Sequence, residues 1–410
     1  MSKKYLIFGA QMVNKGAQAM LFITASEIKR RDPDAEIIVF IYDKWKSSED
    51  PAIYNMRFVP ITMRQMMNLS GTAFSKAYVL GKKARISKND PKLKEIDAIL
   101  SDAAMAFDIS GYALSDQWGV NSSMFFLSKF AMLHRYKIPT YILPQSFGPF
   151  HYGSAVKSNM IKHYTKKYLK YPVQIFAREK EGFECLTEEM GLSNVKLSND
   201  LVLQSNYIDI KAIYRHQPEF REFETGASDN VAIIPNSSNN KYGDKDQLLR
   251  LYDELVRRLI GKKKNIYLLA HSSQDLGICR EILQNYTDES NVHLIEADLN
   301  CIEYGMFIRK FDYVIASRFH SIVNAFKEHI PCIALGWAVK YEELLDLLGQ
   351  KQFNFDVRNL NSFEPFFEAL EKMDQTYSEQ SAVISDKLVG VQKSSCFLFL
   401  DEAIAKPADK

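Results

Sequence analysis

The segment YVIASRFHSIVNAFKEHIPCIAL, Tyr313 to Leu335, decides the fold. Tyr313–Ala316 is a short apolar run that reads as a buried strand. His320–Glu328 carries apolar residues at helical spacing, and Pro331–Leu335 is a second apolar run. Two apolar strands joined by a helix predict parallel neighbours in a sheet covered on both faces. One detail breaks a local rule. Arg318 and His320 stand where the first strand hands over to the helix. The positive end of the helix macrodipole already favours an anion there, and a cationic side chain is unfavourable without one. The junction therefore reads as a binding site for an anion.

The same alternation extends outward. Downstream comes helix Tyr341–Leu348. Upstream lie strands Asn230–Pro235, Asn265–Ala270 and Val292–Ile295, with helices Asp244–Ile260, Leu276–Gln284 and Ile302–Lys310. Residues 207–377 thus read as one Rossmann-like domain. A second set fills residues 1–206. Its strands are Tyr5–Gly9, Glu36–Tyr42, Ala104–Ile109, Thr140–Leu143 (broken by Pro144) and Gln174–Ala177. Its helices include Gly16–Arg31, Ser123–Tyr136, Ser154–Leu169 and Glu179–Met190. Tyr207–Asp229 is charged, lacks apolar periodicity and is placed as the linker. Met63–Arg85, Met-rich and then basic, is an insertion covering the first sheet. Residues 378–410 contain a helical pattern, Ser378 to Ala405, expected to cross back to the first domain. The fold class is α/β, with two tandem Rossmann-like domains facing a cleft.

Composition excludes several classes. A chain of 410 residues with a net charge of +2 has no global nucleic-acid signature. Its five cysteines form no CxxC pair, which predicts a reducing compartment, no structural zinc and no obligatory metal. The apolar run in MSKKYLIFGAQ is too short for a signal peptide. No stretch approaches a membrane span. These features predict a soluble, cytoplasmic protein.

In open α/β sheets, ligands bind beyond the carboxyl ends of the strands. Five loops there carry unusual residues. GAQMVNKGAQAM offers Asn14, Lys15 and a helix start, or simply a helix cap. DISGYALSDQWG offers Asp108, Tyr112 and Asp116 for sugar hydroxyls and ring faces, or an ordinary polar turn. LPQSFGPF projects Gln145, or is a rigid turn. IFAREKEG places Arg178 just past a strand, where it needs an anion: Glu179 or Asp200 inside the protein, or a ligand. The opening segment brings Arg318, His320 and Ser321, and the next strand end adds Lys340 in GWAVKYEE.

NKGAQAM, DISGYALSD, PQSFGPF, AREKEGFECLTEEMG, SND (Ser198–Asp200) and SRFHSIVNAFKEHIPCIALGWAVKYEELLDLLG, in this order, resemble the polysaccharide pyruvyl transferase family. The resemblance implies a GT-B-like architecture and an enzyme with phosphoenolpyruvate as donor substrate and no cofactor. It implies transfer of pyruvate to a sugar as a ketal, with release of phosphate. It associates Arg178, Arg318 and His320 with the donor. Ser321 and Lys340 join them as donor-binding residues. His320, Arg318 and Asp200 are the candidate catalytic residues. His320 is either the acid for the enol carbon or the group that stabilises departing phosphate, and the base is sought among Asp108, Asp116 and Asp200. Asn14, Lys15, Asp108, Tyr112, Asp116 and Gln145 form the acceptor set on the first domain. Ala17 and Gln18 stand where family members often carry an acidic residue. The implied acceptor is a nucleotide- or lipid-linked sugar. A lipid-linked one would bring the enzyme to the inner membrane face, where the basic stretch Lys157–Lys170 is a candidate contact. The competing readings are a GT-B glycosyltransferase with a nucleotide-sugar donor and a non-catalytic sugar-binding relative.

Overall fold

The computed structural model describes residues 2–42, 49–205 and 207–405. Residues 406–410, the end of the expected crossing segment, lie outside the described residues. The first sheet contains β1 (Lys4–Phe8), β2 (Glu36–Ile41), β3 (Arg57–Pro60), β4 (Ala103–Asp108), β5 (Tyr112–Leu114), β6 (Thr140–Phe147), β7 (Gln174–Ala177) and β8 (Val195–Leu197). Their order is β3-β2-β1-β4-β6-β7-β8, with β5 beside β6. The second contains β9 (Asn230–Ile234), β10 (Asn265–Leu269), β11 (Val292–Ile295), β12 (Tyr313–Ala316), β13 (Cys332–Gly336) and β14 (Asn354–Asp356), in the order β11-β10-β9-β12-β13-β14. Among the described residues every pairing between these strands is parallel, and the second order is that of the Rossmann fold. The central strands of each sheet are apolar because helices cover both faces. Val231, Ile233, Val314 and Ile315 are all buried.

Two local readings are corrected. Pro144 does not end its strand, because β6 runs on to Phe147. The β6–β7 register shifts between Ile142 and Gln145, so the missing N–H of Pro144 falls at an irregularity in the ladder. The helix expected over Glu179–Met190 is a short α-helix, Lys180–Glu184, continued by a π-turn, Cys185–Glu189. The linker is not bare chain. Ile210–Ile213 is a short helix, and Tyr214 packs on Tyr54 and Phe22 of the first domain at ring-centroid distances of 5.2 and 5.9 Å. The Met-rich stretch forms helices Met63–Ser70 and Ala73–Gly81, which send Met66, Met67 and Leu69 into the core of the first domain.

Helix Glu364–Lys393 is continuous, so the boundary at 378 falls inside it. The chain then returns to the first sheet. Phe399 stacks on Tyr141 at 4.2 Å, and Arg31 Nε donates to Asp401 at 2.6 Å. A second link is helix Lys15–Arg31, which is buried from Lys15 to Ile28 because it packs on both domains. Its N-terminal half lies against helices Cys301–Ile308 and Phe319–Lys327 of the second domain. Gln18 accepts the Cys301 N–H at 2.6 Å across the boundary. These contacts turn the carboxyl ends of the two sheets toward each other. No helix among the described residues is long and apolar enough to cross a membrane.

Candidate functional site

Gly16 shows how closely the two domains meet. A Cβ built there would stand 2.2 Å from Cγ of His320, so only glycine admits the imidazole against the first helix. The His320 Nε2 is buried without a hydrogen-bond partner. Burial pushes the ring down to about 4, with Asp200 opposing and Arg178 and Lys340 reinforcing the shift. His320 is therefore a neutral imidazole near pH 7 that can accept a proton.

Arg178 leaves β7 and enters a closed network. Its Nε donates to Glu179 at 2.8 Å, its Nη1 to Asp200 at 2.9 Å and its Nη2 to Ser146 Oγ. The guanidinium lies 4.6 Å from the centroid of Phe319. Both carboxylates that the sequence offered as internal partners are used, so Arg178 has no net charge left to give a ligand by itself. Arg318 is held likewise. Its Nε and Nη2 form a bidentate pair with Asp275, at 2.8 and 2.6 Å.

Lys340 differs. Among the described residues no carboxylate lies within ion-pairing distance of its ammonium, which faces the rings of Tyr112, Phe319 and Tyr341 at 5.3, 5.0 and 5.9 Å. Burial pushes it down to about 8, helped by Arg178 and opposed by Glu179 and Asp200. Lys340 lines two openings of the interdomain cleft. One, of about 540 Å³, is also lined by Arg178, Ser198, Asn199, Asp200 and Glu343. The other, of about 450 Å³, is lined by Tyr112, Gln117, Glu181 and Trp337 among others.

Thus Arg178, Asp200 and Lys340 share one opening, His320 lies within electrostatic reach of all three, and Tyr112 lines the neighbouring opening. Arg318, His320 and Ser321 line neither, and Ser321 Oγ is buried in the first turn of helix Phe319–Lys327. The expected acceptor set is dispersed. Asp108 is 1% exposed and paired with Lys129. Gln145 is buried and donates to Asp108 at 3.2 Å. Both brace the loop instead of facing the cleft, because Lys129 arrives from helix Gly119–Arg135 to neutralise the acid. Asn14 caps its helix by accepting the Ala17 N–H, and Lys15 pairs with Asp298 of the second domain at 3.2 Å. Asp116 accepts the His151 N–H at 3.0 Å.

The loop after β10 was missed by sequence reasoning. It supplies Asp275, the partner of Arg318, and His271, which is 2% exposed with Nδ1 unpartnered. The strand-end rule applied to AHSSQD would have found it.

Comparison with known proteins fits this geometry. The UDP-GlcNAc 2-epimerase from Methanocaldococcus jannaschii is 12% identical over 90% of this chain and 92% of its own, with a TM-score of 0.53. S. aureus MnaA, in its UDP co-structure, is 12% identical over 100% of both chains, with a TM-score of 0.53. A ugt transferase from Siraitia grosvenorii, in complex with UDP, is 11% identical over 98% of this chain and 100% of its own, with a TM-score of 0.52. These likenesses establish the GT-B fold. No curated protein matches the sequence. Over residues 14–338, most of its length, the chain matches the family model described as polysaccharide pyruvyl transferase, and it belongs to that family.

Proposed function

We propose that the protein transfers the enolpyruvyl group of phosphoenolpyruvate to two hydroxyls of a sugar in a polysaccharide precursor, forming a pyruvate ketal. The observation that carries this reading is Lys340, a partly buried ammonium with no anionic partner among the described residues, in the cleft of a pyruvyl-transferase family member. A buried unpaired cation is costly, and an anionic ligand removes the cost. The donor carries two anionic groups. Lys340 takes one, and the N-terminus of helix Phe319–Lys327, whose Phe319 lines the same opening, takes the other.

The balance of the reaction assigns the protons. Each sugar hydroxyl loses a proton and forms a bond to the donor carbon that bore phosphate. The methylene carbon gains one proton and becomes methyl, and the phosphate leaves with the second. Asp108, Asp116 and Asp200 are all engaged by other groups. Neutral His320, with Nε2 unpartnered, is the better base for a sugar hydroxyl. Donor phosphate beside the ring would raise its affinity for that proton and prepare it for return to the departing phosphate. If the acceptor is lipid-linked, helix Ala155–Tyr168, with Lys157, Lys166 and Lys167 exposed, is the surface to test for membrane contact.

The test is calorimetric titration of the protein with phosphoenolpyruvate and, separately, with UDP-hexoses. Binding of phosphoenolpyruvate alone supports the proposal. Binding of a UDP-hexose without phosphoenolpyruvate overturns it in favour of a nucleotide-sugar glycosyltransferase.

A further inference from the structure

The second opening beside Lys340 has a character that the donor does not need. Its first-domain wall is Tyr112, whose hydroxyl is fixed by donation to the Gly148 carbonyl at 2.8 Å. Trp118 meets that ring edge-on at 6.0 Å and is 51% exposed. The second-domain wall is Trp337, stacked on Tyr242 at 3.8 Å with an interplanar angle of 13°. Tyr242 is itself 41% exposed. Trp337 packs its inner edge on the core, but Trp118 and Tyr242 keep large ring areas in water at the lips of the cleft, and such exposed aromatic surface signals a ligand. Gln117 and Glu181, both exposed, add hydrogen-bonding groups between the two walls.

A pyranose ring matches this chemistry. Its axial C–H faces pack on aromatic rings, and its equatorial hydroxyls need amide and carboxylate partners. We propose that the acceptor's pyranose ring is held in this opening, between Tyr112 of the first domain and the Trp337–Tyr242 pair of the second. The second domain then contributes to acceptor choice as well as to the donor. The inference rests on the donor reading above, because Lys340 lines both openings and places donor carbon and acceptor hydroxyls on either side of one ammonium. Stacking on Tyr242 fixes the indole in advance, so sugar binding orders few side chains.

The experiment uses methyl glycosides of galactose, glucose and mannose as probes, read by saturation-transfer NMR, with phosphoenolpyruvate titrated in parallel. Wild type should bind at least one glycoside. Trp337→Ala should weaken it about tenfold or more, while Trp337→Phe retains most of the affinity. Tyr242→Ala, which frees the indole without removing it, should weaken it less than Trp337→Ala. Phosphoenolpyruvate affinity should stay at the wild-type value in all three, and Trp337→Phe, which keeps a ring against the core, should also keep the thermal midpoint. Glycoside binding indifferent to Trp337→Ala, or absent from wild type, overturns the inference. Failure of wild type to bind phosphoenolpyruvate removes the donor reading instead, and the glycoside titrations are read separately.

Discussion

Replacing Lys340 by Met should stabilise the protein while weakening its hold on phosphoenolpyruvate. The side chain keeps its length and loses its charge. In the folded protein the ammonium is pushed down from 10.5 to about 8, chiefly by burial. At about 1.4 kcal/mol per pKa unit, the charged form carries a cost of roughly 3 kcal/mol. The variant loses the attraction to the rings of Tyr112 and Phe319, at about 0.5–1 kcal/mol each. The net gain is about 1–2 kcal/mol, or roughly 2–4 °C in midpoint per kcal/mol for a domain of this size. Without the ammonium the donor should lose about 2–3 kcal/mol, close to a hundredfold in Kd. The pH dependence supplies an independent sign. Between about pH 8 and 10.5 the unfolded lysine keeps a proton that the folded one has released. Wild-type stability should therefore rise with pH in that window, and the variant should lack the rise. Donor affinity in wild type should fall as pH passes through 8. Scanning calorimetry across pH and isothermal titration of phosphoenolpyruvate read both effects. A lower midpoint in Lys340→Met at pH 7, or an unchanged Kd, would refute the reasoning.

Gly16→Ala should disturb the join between the domains, since the new methyl meets the His320 ring at 2.2 Å. A midpoint lowered by about 1–3 kcal/mol equivalent is expected, and a wild-type thermal profile would show that the imidazole is free to withdraw. Phe399→Ala removes a ring packed against Tyr141, Phe176 and Phe107 and should cost about 3–5 kcal/mol. Hydrogen exchange should show the loss in β4, β6 and β7 first, and uniform loosening of the second sheet would contradict that placement.

The fold was legible because its strands are continuous apolar runs. β7, β11 and β12 begin and end where periodicity puts them. β3, β5, β8 and β14 were missed because each is only three or four residues long with at most one buried residue, so none has an apolar signal. Pro144 misled because sequence shows a missing donor and not the irregularity that tolerates it. The strand-end loops named from the sequence gather at one cleft, and Lys340, named from its strand end, lines it. Who neutralises whom was not legible. Asp108 looks available until Lys129, from a helix 21 positions away, reaches it. Arg178 looked equally suited to a ligand or to Asp200, and only packing chose.

The return of the chain to the first sheet also has a meaning for synthesis. β4, β6 and β7 are made early, yet Phe399, which stacks on Tyr141 and Phe176, lies beyond both sheets in the sequence. While the ribosome is still making the second domain, an aromatic face of the first stays open to water. That interval is when nascent chains are open to aggregation and chaperone capture. The first-made half is thus finished by a helix that is made after the second domain.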